Sequence, residues 1–352
     1  MMIPTEPIGS IPRPPELVAA VRAGMAAREL APLVDAAVRA TVAAFEATGA
    51  PVITDGEQGK FENFWSYPVH GAANTAPDGF RIPVGNGGRH RMPRLTHGPF
   101  RYQRYADEFV RAARAYATLP LKQAIISPSA LSLLYPADGI NGYSREQFLE
   151  DLVREHETEI RRCLEAGAHK VQVDFAEGPL AMRLDPSGAL LASFVHLNNM
   201  ALDRFSSDQR ALIGLHASPA GVHGAGDAQV DYAELLPTLF EIRAGSFYIA
   251  VAGQPDPERV LRIARDYARP DQRVFVGVTD PANPTVETAG QVCDRVLLAA
   301  TYLPPQRLGT TDDAGFAPFY DDEGISRNAA FAKMQARVDG TRLAASLLEG
   351  AA

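Results

Sequence analysis

The 352-residue sequence predicts an α/β fold, a single (β/α)8 TIM barrel, on three observations. Short apolar, β-rich runs alternate with helical patterns along the whole chain, as parallel strands buried on both faces require. Eight such runs occur, whereas an open doubly wound sheet more often has roughly five to seven strands. No Gly-x-Gly-x-x-Gly motif follows the first run, which removes the usual signature of that alternative.

In chain order, the first two strands are expected around Pro7–Gly9 and Val52–Thr54. The stretch 75–97 then breaks the alternation: it carries Pro77-Asp-Gly79, Pro83, Asn86-Gly-Gly88 and Pro93 around two β-like pieces, so a hairpin excursion over the barrel mouth is expected. Gln123–Ile126 is the third strand. Ser144-Arg-Glu-Gln147 is a capping box that opens a helix running to Gly167, and Lys170–Val173 follows as the fourth strand. The remaining strands are expected at Leu212–Leu215, Phe247–Val251, Val274–Val278 and Leu308–Thr310, with a helix over 231–242 carried by its Leu/Phe stripe.

Composition excludes several classes of function. A formal net charge of −8 gives no electrostatic footprint for nucleic acid or an anionic membrane surface, and Arg89-His-Arg-Met-Pro-Arg94 is the one local basic exception. No apolar stretch approaches the roughly 20 residues a bilayer span needs, and the first residues lack the basic and apolar regions of a secretory leader. A soluble, cytoplasmic protein with a small-molecule partner is expected, and a homo-oligomer is left open. The two cysteines, Cys163 and Cys293, each sit inside a helical pattern, which favours isolated thiols over a disulfide.

In such a barrel the chemistry lies just after the strands. Those positions read Gly9-Ser10, Asp55-Gly-Glu57, Ser127, Asp174-Phe-Ala-Glu177, His216 with Ser218, Ala250 to Gln254, Thr279-Asp280 and Asp312-Asp-Ala-Gly315. Any one of these acids is as well explained as a helix cap. Four or five together favour a site for a cationic group or for acid–base work, with Asp174, His216 or Asp280 as base. His216 taken alone is more often a hydrogen-bonded rim residue, and His223 lies in a glycine-rich loop.

Five separated motifs in this order, Thr5-Glu-Pro-Ile-Gly-Ser-Ile-Pro-Arg13, Thr54-Asp-Gly-Glu-Gln58, Lys170-Val-Gln-Val-Asp174, Gly214-Leu-His216 and Thr311-Asp-Asp-Ala-Gly-Phe316, resemble the cobalamin-independent methionine synthase family through nearly the whole chain. The match is to that family's C-terminal catalytic barrel. The resemblance implies methyl transfer from a 5-methyltetrahydrofolate-like donor to an amino-acid-like acceptor. It implies that Ile8, Gly9 and Ser10 hold the amino acid's carboxylate, that Glu57 and Asp174 hold its ammonium, and that Glu177 is a further acidic contact. Gly88, Arg89 and Tyr135 fall near folate-contacting positions. The family's zinc ligands correspond to His216, Ser218, Ala250 and Ala314, of which only the histidine is retained. A hydroxyl and two methyl groups cannot complete a tetrahedral site, and Gln254 under another alignment offers only a neutral amide. Zinc is therefore expected to be absent. Thr279-Asp280 stands where the family has a proton-donating histidine. Alternatives to methyl transfer without zinc are a lyase or hydrolase on the same barrel, or a ligand-binding homologue without catalysis.

Overall fold

The computed structural model describes residues 2–60, 63–83, 89–217 and 230–350. Six parallel strands, Lys122–Ile126, Lys170–Phe175, Ile213–Ala217, Ser246–Ile249, Arg273–Thr279 and Leu308–Asp312, hydrogen-bond in sequence order. The ring continues through two single parallel bridges, Thr5 to Thr310 and Ile53 to Leu121. The seam between these first two staves is closed by Thr54 Oγ1 donating to Gly9 O at 3.0 Å and by Ile11 N donating to Gly56 O at 3.1 Å. All eight expected staves are therefore present, although the first two are bridges rather than strands. Prolines at 4, 7 and 51 supply no N–H and interrupt the ladder there.

Helices fill the connections and cover the outside, among them Ala27–Ala47, Arg145–Glu165, Ala189–Leu202, Tyr232–Leu239, Pro257–Tyr267, Ala289–Ala300 and Arg327–Gly350. The capping box of Arg145–Glu165 is formed in both directions between Ser144 and Gln147. Cys163 and Cys293 are free and buried, and no described helix is long and apolar enough to cross a membrane. Between the second stave and the third, Thr75–Ala76 pairs antiparallel with Arg94–Leu95, and Arg81–Pro83 with Arg89–Arg91.

The inside of the barrel is polar at its base. Glu6 accepts from Lys170 Nζ at 2.8 Å and from the Tyr248 hydroxyl, and Lys122 Nζ lies 3.7 Å from its second oxygen and 3.9 Å from the Tyr248 ring centre. These opposite charges hold Glu6 below the usual carboxylate range against a burial that raises it. Burial takes the Lys122 ammonium down to about 7, with Glu6 opposing. Above this floor the strand ends open into the mouth.

Candidate active site at the strand ends

Glu57 enters from a turn whose backbone is under strain. Its φ of 56° is the only positive value among described residues other than glycine, a conformation that ordinary side chains avoid. Around the turn, Asp55 Oδ1 accepts from Glu57 N at 3.0 Å, while the buried Arg13 guanidinium donates to Glu57 O at 2.9 Å and Lys60 O at 3.2 Å. The Glu57 carboxylate, 3% exposed, lies against the backbone of the first stave: a Cβ on Gly9 would stand 3.0 Å from Glu57 Oε1. Among the described residues Glu57 Oε2 has no hydrogen-bond partner, and Lys60 Nζ is 3.9 Å away. Burial lifts this carboxyl to about 7; Lys60 opposes the rise, and the charges of Asp174 and Asp55 add to it.

Asp174 and His216 end adjacent strands in register. Asp174 Oδ1 is 3.1 Å from His216 Nδ1 and accepts from Gln172 Nε2 at 2.8 Å. His216 Nε2 is buried and, among the described residues, has no hydrogen-bond partner. Glu177, fully buried, accepts from Ser127 Oγ at 2.6 Å and from Ser129 Oγ, and Asn198 holds Ser129 in turn. Its second oxygen has no partner among the described residues, and burial raises the carboxyl to about 7 despite the two hydroxyls.

The structure thus gathers Glu57, Asp174 and His216. Ser10 lies on the opposite seam, its Oγ 3.3 Å from Ala317 N. Ile8 supplies a carbonyl to Gln172 Nε2 at 3.0 Å, and Gly9 O is taken by Thr54. Asp280 is not joined to the Asp174–His216 pair by any hydrogen bond or ion pair among the described residues. It accepts from Ala282 N at 2.9 Å, and its own N–H donates to Glu287. Tyr135 packs on Phe148, and its hydroxyl donates to Tyr143 O at 2.7 Å. Arg89 begins the strand Arg89–Arg91. Gly88, Ser218 and His223 lie outside the described residues.

Sequence reasoning passed over three residues here. Asp313 occupies the end of the sixth stave, next to Ala250: its carboxylate accepts from Val251 N at 2.8 Å, Ala252 N at 3.0 Å and Gly253 N at 2.6 Å. Gly277 makes this approach feasible, because a Cβ there would fall 1.8 Å from Asp313 Oδ1. Burial raises Asp313 to about 7 against those three N–H donors. Lys60, 2% exposed, donates to Ala124 O at 2.7 Å and places an ammonium beside Glu57. Gln172 connects the floor to Asp174. The available signal was the alternation of Lys170, Gln172 and Asp174 with apolar residues along one strand, because period two puts all three on the same face.

An eight-stave α/β barrel whose carboxylates and histidine converge at the C-terminal strand ends has the layout of a TIM-barrel active site. No protein-family profile matches the chain. Curated relatives cover nearly all of it: methionine synthase of Saccharolobus solfataricus is 25% identical over 97% of this chain and 95% of its own length. Methionine synthase of Sulfurisphaera tokodaii is 24% identical over 97% and 92%. Among solved structures, a B12-independent methionine synthase from a Shewanella species in complex with selenomethionine superposes with a TM-score of 0.75 at 17% identity, over 99% of this chain and 100% of that one. A putative vitamin-B12-independent methionine synthase from Listeria monocytogenes gives 0.70 at 19% identity, over 97% and 98%. Over nearly its whole length the chain is thus similar to methionine synthases, and it has the fold of the B12-independent methionine synthase structures.

Proposed function

We propose that the protein is a methyltransferase that binds an amino-acid-like acceptor through Glu57 and Asp174 and receives the methyl group from a folate-like donor such as 5-methyltetrahydrofolate, without activating a thiol on zinc. The single observation that carries the reading is the Glu57, Asp174 and His216 constellation. A buried carboxylate with an unpartnered oxygen, beside a second carboxylate, forms a cup for an ammonium group. The full-length likeness to methionine synthases supports methyl transfer as the reaction class.

The residues do not fit the family's zinc. Ala250 and Ala314 offer methyl groups in place of donors. The backbone amides following Ala250 already hold the Asp313 carboxylate. His216 Nδ1 is engaged by Asp174. No step is therefore routed through a metal. The chain's own residues bind the amino-acid head group, and His216 offers a nitrogen to the acceptor.

The test incubates purified protein with methyl-labelled 5-methyltetrahydrofolate and a panel of amino acids bearing nitrogen, oxygen, carbon and sulfur nucleophiles, including homocysteine, while metal content is measured on the same sample. Label is expected in an amino acid other than homocysteine, in protein holding no stoichiometric zinc. Methionine formation by protein holding one zinc per chain would overturn the proposal.

A further inference from the structure

A chain of contacts runs from the barrel floor to the mouth, Lys122, Gln172, Asp174, His216, and its first two members have no role in the family correspondences. Lys122 Nζ lies 2.6 Å from Gln172 Oε1. On the far side of the amide Ile8 O is a carbonyl that can only accept, so the atom facing it must be the amide nitrogen and the atom facing Lys122 the amide oxygen. Gln172 Nε2 consequently faces the other way, and both groups it meets there are acceptors: Ile8 O at 3.0 Å and Asp174 Oδ1 at 2.8 Å. The amide orientation is thereby fixed.

That orientation determines the histidine. The N–H that Gln172 donates to Asp174 Oδ1 orients the carboxyl and favours a bare, accepting oxygen on the side that faces His216. The contact to His216 Nδ1 at 3.1 Å is then donated by the ring. In the neutral imidazole the proton therefore sits on Nδ1, and Nε2 is a bare acceptor. Nε2 is buried and has no partner among the described residues, on the penultimate residue of a strand whose end faces the mouth.

We propose that Gln172 and Lys122 are positioning residues which lock His216 in the Nδ1–H tautomer and so present Nε2 as the hydrogen-bond acceptor for the N–H or O–H of the acceptor substrate. Gln172 and Lys122 touch no substrate. They act through Asp174, whose Oδ1 is fully engaged, so that Oδ2 is the oxygen left for a ligand's ammonium. The role of the ligand rests on the function proposed above, whereas the lock itself is a property of the free protein.

Nitrogen-15 histidine spectra of the full chain test it without any ligand, the His216 signals being assigned from a His216→Gln variant. The wild type is expected to show Nδ1 protonated and Nε2 bare, favoured by at least about tenfold, as a hydrogen bond to a charged acceptor implies. Gln172→Met removes the two donors, and Lys122→Met removes the group that holds the amide oxygen. Both are expected to lose the single-tautomer pattern, and Lys122→Arg to keep it. An Nε2–H tautomer in the wild type would overturn the lock even if every variant misfolded, as would an unchanged pattern in a folded Gln172→Met. A failed search for methyl transfer with an intact lock would instead count against the proposed reaction.

Discussion

Ser10 fills the space that a side chain at residue 315 would need: a Cβ on Gly315 would lie 2.1 Å from Ser10 Oγ. The loop after the last stave and the first strand end thus interlock, and Phe316 N donates to Ser10 O at 2.9 Å in the same contact. Gly315→Ala is expected to push Ser10 out of place. The cost is expected to be about 1–3 kcal/mol of overpacking, together with weaker binding of amino acids. Thermal unfolding and calorimetry with L-methionine as probe measure the two effects. A variant as stable as the parent would show that the seam has slack.

Glu57→Gln and Asp174→Asn are expected to weaken binding of a zwitterionic amino acid by more than about tenfold, since each removes a charged acceptor worth about 1.5–3 kcal/mol. Circular dichroism should show the fold unchanged. Calorimetry giving less than about a twofold loss in both variants would remove them from the ammonium cup.

The same cup makes binding depend on pH. Burial holds the Glu57 proton until about pH 7, and an ammonium ligand requires the carboxylate to be ionised. Below pH 7 affinity is therefore expected to rise up to about tenfold per pH unit, levelling off above it. Glu57→Gln should flatten that slope. A wild-type affinity constant between pH 5.5 and 8 would contradict the placement of Glu57 in the cup.

Glu177 tests the cost of the buried acids. Its carboxyl is raised to about 7, so between the unfolded value near 4.5 and pH 7 the folded protein holds the proton more tightly, and stability from this group falls as pH rises. Glu177→Gln keeps an oxygen for the Ser127 and Ser129 hydroxyls and cannot ionise. It is expected to stabilise the protein by about 1–2 kcal/mol at pH 8 and by little at pH 5. Urea unfolding at both pH values measures the difference, and equal effects would refute the assignment.

Restoring the missing donors should restore a metal site. Ser218→Cys, Ala250→Glu and Ala314→Cys together join two thiolates and a carboxylate to His216, and tight zinc binding is expected only in the triple variant, because partial ligand sets hold zinc far less well. Adding Asp313→Asn, which removes the buried carboxylate beside the new glutamate, is expected to strengthen it. Elemental analysis decides, and a folded triple variant with no gain in zinc would mean that these strand ends do not converge.

Much of this was legible in the sequence because barrel strands are long apolar runs and their ends are marked by acids. Lys170–Phe175 and Leu308–Asp312 begin where the pattern begins and run two residues further. The first two staves were harder to read, since prolines at 4, 7 and 51 leave only a bridge where the apolar pattern suggested a strand. Lys122 and Lys170 look like strand flanks, yet both turn inward to Glu6, a pairing across more than a hundred residues that no local window contains. Asp313 was hidden for a related reason. Two successive acids after a strand look equivalent, but Asp312 takes the Thr279 hydroxyl and the buried Arg337, while Asp313 turns to the neighbouring loop.

The seam at Thr5 and Thr310 also has a consequence for how the protein is made. Glu6 N and Thr310 N each donate across that seam, Arg13 donates to Ala317 O and Phe319 O, and Arg337 reaches back to Glu6 O. Every one of these contacts spans some three hundred positions of the chain. On the ribosome, the opening segment that carries Ser10 must wait until nearly the whole polypeptide has emerged before it finds its neighbours. The rim that carries Ser10 is therefore among the last parts to assemble, and a chain that stops short of residue 310 leaves the first stave without its partner.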